Sequence, residues 1–148
     1  MNILYVEDND DHAELALRSM TEQPWGEAVH RVCDGEQALD YLMRRGQYAD
    51  TATSPRPELI LLDLRLPRID GLEVLRRIKS DDALRRIPVV VLTTSDADKD
   101  IARAYDLHAN SYLVKPIELD RFQALMNDLG LFWMAWNERP RQPEGWVG

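Results

Sequence analysis

Short apolar runs, Ile3-Leu4-Tyr5-Val6, Leu59-Ile60-Leu61-Leu62, Val89-Val90-Val91-Leu92 and Tyr112-Leu113-Val114, alternate along the chain with longer stretches in which apolar residues recur at three-to-four spacing. Runs of that length, rich in Leu and β-branched residues and bounded by turn formers, read as strands; the longer period reads as amphipathic helices. Strands are expected near 2–7, 27–33, 58–63, 88–93 and 111–115, and helices near 11–22, 35–46, 71–80, 97–106 and 118–136. In the second helix Ala38, Leu39, Leu42 and Met43 form the stripe, with Gly46 as its stop. Regular alternation of strand and helix implies an α/β fold, a parallel sheet with helices on both faces. Gln47 to Pro57 reads as an exposed connection, longer than usual for such units.

Length and composition narrow the picture. The chain suits one domain, with 1–136 as its body and 137–148, which contains Arg139-Pro140-Arg141-Gln142-Pro143, as a Pro-rich tail. A formal charge of −8 without any Lys/Arg block argues against DNA and anionic membrane as direct partners. The single Cys33 excludes an internal disulfide framework and reads as a small hydrophobe at the end of the second strand. No apolar stretch approaches the ~20 residues of a membrane span, and no leader pattern opens the chain, so a cytoplasmic protein is expected.

The chemistry sits at the strand tips. Glu7 and Asp8 follow the first run, Asp63 the third strand, Thr93 ends the fourth and Lys115 follows the fifth. Open α/β sheets bind their ligands outside the carboxyl ends of the strands, so side-by-side parallel strands bring these groups into one pocket. Three carboxylates crowded in a partly desolvated cleft need a cation, and hard oxygens with room for water suit Mg²⁺. A carboxylate beside such an ion is also a nucleophile towards phosphorus, forming an aspartyl phosphate, while Lys115 and Thr93 are suited to hold the phosphoryl oxygens. Asp63 is then the nucleophile. A single acid at a strand end is ordinarily a turn former or helix cap, and Asp70 and Asp96 are read that way; the whole set at successive strand tips is not. His12, His30 and His108 lack metal-ligand spacing and read as surface or satisfied core residues. The Arg pairs at 44–45, 76–77 and 85–86 read as solvated helix faces.

Glu7-Asp8 after the first strand, Asp63 with Pro67 and Gly71 four and eight residues on, Thr93 five residues beyond Pro88, and Tyr112-Leu113-Val114-Lys115-Pro116 together resemble the receiver domain of two-component response regulators. The resemblance implies a flavodoxin-like five-stranded sheet of order 2-1-3-4-5 and phosphorylation of Asp63 by a histidine kinase. It implies Mg²⁺ held by Asp8, Asp63 and the backbone carbonyl of Arg65, with Glu7 on a metal-bound water. Thr93 and Lys115 would contact the phosphoryl group, Tyr112 would be the aromatic switch, and the peptide before Pro116 would be cis, an isomer that X–Pro bonds adopt in only ~5–6% of cases. Thr93-Thr94-Ser95, the Pro-containing connection before strand three and Leu131-Phe132-Trp133 further resemble the single-domain regulators that serve phytochrome kinases, which makes a bacteriophytochrome the expected partner. Arg65 departs from the Asn expected there, which bears on the lifetime of the phosphoryl group.

A single-domain switch that catalyses only its own phosphotransfer and dephosphorylation is therefore expected, rather than an enzyme acting on other substrates. A phosphatase of the haloacid dehalogenase type would carry an Asp two residues after the nucleophile, where this chain has Arg65; an inert pseudo-receiver would not need the full acid set. Leu119, Phe122, Leu125, Met126 and Leu129 already supply the core-facing stripe of the last helix. The aromatic residues beyond it, Phe132, Trp133 and Trp136, are thus read as the interface of a homodimer.

Overall fold

The computed structural model describes residues 2–23, 28–116 and 118–131. Its elements run β1 (Asn2–Val6), α1 (Asp10–Thr21), β2 (Ala28–Val32), α2 (Gly35–Leu42), a 3-10 turn (Gly46–Tyr48), β3 (Leu59–Leu62), α3 (Gly71–Ser80), β4 (Val89–Thr93), α4 (Asp98–Asp106), β5 (Ser111–Val114) and α5 (Leu119–Leu131). The strands form one parallel sheet in the order β2-β1-β3-β4-β5, the expected flavodoxin-like topology.

Side-chain alternation along each strand divides the core in two. Leu4, Val6, Ile60, Leu62, Val89 and Val91 point to one face and pack with α2, α3 and Ala104 of α4. Ile3, Tyr5, Leu59, Leu61, Val90 and Leu92 point to the other and pack with α1 and with Phe122, Met126 and Leu129 of α5. The assignment of helices to faces follows from handedness. The chain steps from β1 outward to β2, then reverses and steps across β1 towards β5, and right-handed crossovers place helices made in opposite directions on opposite faces. The reversal lies between β1 and β3, so their carboxyl ends border the crevice where such a sheet binds its ligands.

The helix starts are capped by side chains that the sequence makes recognisable. Asn9 accepts from the His12 amide at 3.0 Å, Asp34 from the Gln37 amide at 2.7 Å and Asp70 from the Leu72 amide at 2.8 Å. Asp96 caps nothing, since the position before α4 is Ala97. Several boundaries differ from expectation. Helix α2 stops at Leu42 rather than running to Gly46, because Arg44 already adopts a left-handed φ of 59° and the Arg45 amide turns back to the Asp40 carbonyl. The connection before β3 is not simply exposed. Ser54 and Arg56 are buried, Arg56 donates to the Ala83 carbonyl at 2.9 Å, and the Tyr41 hydroxyl donates to the Pro55 carbonyl at 2.8 Å. These bonds supply the partners that a long loop's polar groups need next to a core. Cys33 is exposed, because β2 ends one residue earlier and the chain turns there into the Asp34 cap.

Helix α5 is described as far as Leu131, so the continuation expected to 136, the proposed interface residues Phe132, Trp133 and Trp136, and the 137–148 tail lie outside the described residues. Trp25 does as well. Among the described residues, no helix is long and apolar enough to cross a membrane.

Candidate phosphoacceptor site

Parallel register sets the site. Val6 lies opposite Leu62, so Glu7 and Asp63 leave their strands at the same level, and Thr93 lies opposite Val114, which brings Lys115 up beside it. The ladder continues one residue past the strands, with the Asp63 amide donating to Val6 at 3.1 Å and the Lys115 amide to Thr93 at 2.7 Å. Glu7, Asp63, Thr93 and Lys115 are all buried, whereas Asp8 is exposed at the rim.

Three side chains meet at the Lys115 ammonium. It donates to Glu7 Oε1, to Asp63 Oδ2 at 2.9 Å, and stands 3.1 Å from His12 Nδ1. The other Asp63 oxygen accepts the Arg65 amide at 3.2 Å. Glu7 also accepts from the Tyr5 hydroxyl and the Asn9 amide, each at 3.3 Å. From β2, Arg31 clamps the Glu7 carbonyl with Nε at 3.1 Å and Nη2 at 2.9 Å, and the same Nη2 reaches Asp10 at 2.9 Å. The main chain carrying the acid pair is thereby held from the neighbouring strand.

The two buried carboxylates respond differently to this environment. Burial, and then the bond shared with Asp63, push the Glu7 carboxyl up to about 7 against the pull of Lys115. Burial also opposes charge on Asp63, but the hydrogen bonds from Glu7 and Lys115, the Lys115 charge and the Thr93 hydroxyl together hold its carboxyl below the ordinary range. Asp63 is therefore the member of the pair that stays ionised, as a nucleophile must.

Oxygens of Glu7, Asp8 and Asp63 lie within 4.8 Å of one another. An all-oxygen set of three acids, with one member open to water, fits a hard divalent cation that keeps part of its hydration shell. Among the described residues, openings flank the site on two sides. A cavity of about 230 Å³ lined by Asp11, His12, Leu15, Thr94, Lys115, Pro116 and Phe122 lies on the α1 side. A more open groove of about 410 Å³ runs along Leu64, Arg65, Leu66, Asp70, Leu72 and Asp100.

The structure thus brings together Glu7, Asp8, Asp63, Thr93 and Lys115. Tyr112 stands farther out on β5, half-buried against the core, with its hydroxyl donating to the Ser95 carbonyl at 2.8 Å. The expected cis bond is corrected: the described residues contain no cis peptide, so Lys115–Pro116 is trans, the isomer that X–Pro bonds favour by about 0.5–1 kcal/mol. Two groups went unrecognised in the sequence. His12, read as surface or core, stands against Lys115 because it lies on the first turn of α1, four residues after Asp8; that spacing was a usable signal. Arg31 carries no such signal, since its role depends on the β1–β2 register.

Comparison with known proteins agrees with this geometry. The family described as "Response regulator receiver domain" matches residues 3–127. FilR2 of Methanothrix harundinacea, a probable methanogenesis regulatory protein, is 43% identical over 93% of this chain and 86% of its own. The phosphorylated cyanobacterial phytochrome response regulator RcpA superposes with a TM-score of 0.87 at 41% identity, covering 95% of this chain and 98% of its own. The Mn²⁺-bound form of Rcp1, a response regulator of Synechocystis, gives 0.84 at 39% identity, covering 94% and 98%. With a receiver match across most of its length, relatives near 40% identity and the acid, hydroxyl and amine set in place at the strand tips, the chain belongs to the response regulator receiver domain family, the phosphorylation-dependent signalling modules of two-component systems.

Proposed function

We propose that Asp63 accepts a phosphoryl group from a phosphohistidine of a phytochrome-type histidine kinase, a bacteriophytochrome, in the cytoplasm. The observation that carries this reading is a buried Asp63 that accepts from the Lys115 ammonium and lies within reach of the Glu7 and Asp8 carboxylates. An Asp63 oxygen attacks phosphorus, the O–P bond forms as the P–N bond to the imidazole breaks, and the electron pair leaves with the imidazole nitrogen. Lys115 follows the phosphoryl oxygens as they gain charge, and the Thr93 hydroxyl donates to them. Asp8, Asp63 and the Arg65 carbonyl would hold Mg²⁺, with Glu7 on its water, and the ion's chemistry there is to neutralise phosphoryl charge. The likeness to RcpA, a cyanobacterial phytochrome response regulator, supports the phytochrome assignment. The likeness to FilR2 supports a second reading, a kinase that answers a metabolic signal. Labelling by a phytochrome kinase but not by an unrelated one separates the two.

The output is a change of surface rather than turnover of an external substrate. Moving a population from 1:99 to 99:1 requires about 5.5 kcal/mol of differential stabilisation, much of which a few charge-assisted hydrogen bonds can supply. Thr93 and Tyr112 connect the site to the α4–β5 face through Ser95, whose amide donates to Thr93 Oγ1 at 3.4 Å and whose carbonyl holds Tyr112. Incubation with Mg²⁺ and acetyl phosphate is expected to add one phosphoryl mass to both the wild type and Thr93→Ala, with chemical-shift changes on α4 and β5 in the wild type only. No adduct overturns the phosphoacceptor reading, rapid phosphate release from many esters favours an enzyme, and equal shifts in both proteins remove Thr93 from the switch.

A homodimer through Phe132, Trp133 and Trp136 suits delivery to a two-fold kinase. Its support is compositional: the described part of α5 already buries Phe122, Met126 and Leu129 on its own sheet, leaving the later aromatics without a place on that stripe. Light scattering is expected to give a dimer for the wild type and a phosphorylatable monomer once the three aromatics are made polar. A monomeric wild type at high micromolar concentration ends the idea.

A further inference from the structure

A ring of polar contacts closes the mouth of the site on its α4 side. Arg65, two residues after Asp63, extends its guanidinium across to α4, where Nη2 lies 3.6 Å from Asp100 Oδ2. Asp100 is held from behind by the Ser95 hydroxyl at 2.6 Å, and Ser95 in turn accepts from Tyr112 and donates to Thr93. The two partners differ in their freedom. The Asp100 side chain is only 15% exposed, while that of Arg65 is 72% exposed and borders the open groove of about 410 Å³.

We infer that Asp100 is a positioning residue that shortens the life of the phosphoryl group by competing with it for the Arg65 guanidinium. The inference rests on Asp63 being the phosphoacceptor. With its guanidinium largely in water and 3.6 Å from Asp100, the Arg65 partner is weakly held, because water screens the pair and a long side chain must be kept in one geometry. A phosphoryl group on Asp63 offers the same guanidinium a doubly charged, planar-matched target within the reach of its own loop, and such bidentate bonds are about twice as strong as neutral ones. The groove leaves room for the swing. A guanidinium lying over the phosphoryl group also occupies the side from which water must attack in line, so each moment that Arg65 spends on Asp100 leaves the adduct open to hydrolysis. The second carboxylate lining the groove, Asp70, is engaged in capping α3. Of the two, Asp100 is the one in ion-pair contact.

The test uses the full chain as wild type, Asp100→Asn, Arg65→Asn and the double variant. Asp100→Asn keeps an oxygen for the Ser95 hydroxyl and removes only the charge, and circular dichroism with thermal melting establishes that each protein folds; Asp100→Ser serves if the Asn variant does not. Each is phosphorylated with acetyl phosphate and Mg²⁺, freed of donor, and followed by intact mass. The half-life is expected to rise about threefold in Asp100→Asn and not at all when Asp100→Asn is added to Arg65→Asn, the non-additivity of two groups in contact. An unchanged half-life in Asp100→Asn overturns the proposal, and so does an equal factor in both backgrounds, which would mark Asp100 as merely structural. Absence of any adduct on the wild type removes the phosphoacceptor reading instead, and the competition with it.

Discussion

Asp63→Asn is expected to abolish phosphorylation, by acetyl phosphate and by a cognate kinase alike, while leaving the fold intact. The amide is nearly isosteric with the carboxylate but lacks its negative charge and is a poor nucleophile. Its oxygen can still accept from the Arg65 amide or the Lys115 ammonium, the two donors that Asp63 serves at 3.2 and 2.9 Å. Burial is the main reason the Glu7 carboxyl is pushed up to about 7, and removing the Asp63 charge relieves the part that the neighbouring carboxylate adds, so Lys115 keeps Glu7 as its counter-ion. Thermal stability should therefore be unchanged or raised. Normal labelling of the variant in intact-mass measurements would move the phosphoacceptor elsewhere, and a collapse in melting temperature would show that Asp63 is a structural ion-pair partner.

Gly71→Ala is expected to cost both stability and rate. A Cβ built at Gly71 falls 2.3 Å from the Asp63 carbonyl oxygen and 2.5 Å from the Leu64 Cα, and neither is a side chain that can rotate away. The close approach exists because the Gly71 amide donates to the Leu64 carbonyl at 3.0 Å, closing the loop after the nucleophile into the start of α3. Forcing a methyl group into a packed interior typically costs about 1–3 kcal/mol, and in a domain of this size each kcal/mol lowers the melting temperature by roughly 2–4 °C. The atoms that must yield belong to Asp63 itself and its neighbour. A displacement of about 1 Å at a reacting group can cost on the order of a hundredfold in rate, so phosphorylation should slow beyond what lost stability explains. Gly35→Ala supplies the comparison: its Cβ would meet the Ile69 carbonyl oxygen at 2.0 Å, so stability should fall there too, but with less effect on rate. Wild-type melting and labelling in Gly71→Ala would show that the loop relaxes freely.

Much of the site was legible because its residues are local to elements with a clear period. Asp63 and the Glu7–Asp8 pair follow apolar runs too short for helices and too uniform for surface segments, and Thr93 and Lys115 close two more. Helix ends were less legible. The stop of α2 at Leu42 depends on Arg44 adopting a left-handed φ that arginine seldom takes, so the sequence pointed to Gly46 instead. The burial of Arg56 likewise depends on a carbonyl 27 residues away.

Strand periodicity and the chemistry of its end residues determined, from sequence alone, an α/β sheet whose tips carry three acids, a hydroxyl and an amine, because side-chain alternation and strand length are properties of a few neighbouring residues. Only tertiary structure decided which charges meet. Lys115 reaches Glu7 across 108 residues and Asp63 across 52, His12 joins them from the first turn of α1, Arg31 clamps Glu7 through the β1–β2 register, and Arg65 crosses to Asp100 on α4. Such pairings depend on the direction of each crossover and on where long side chains come to rest, and neither is written in the spacing of the residues that make them.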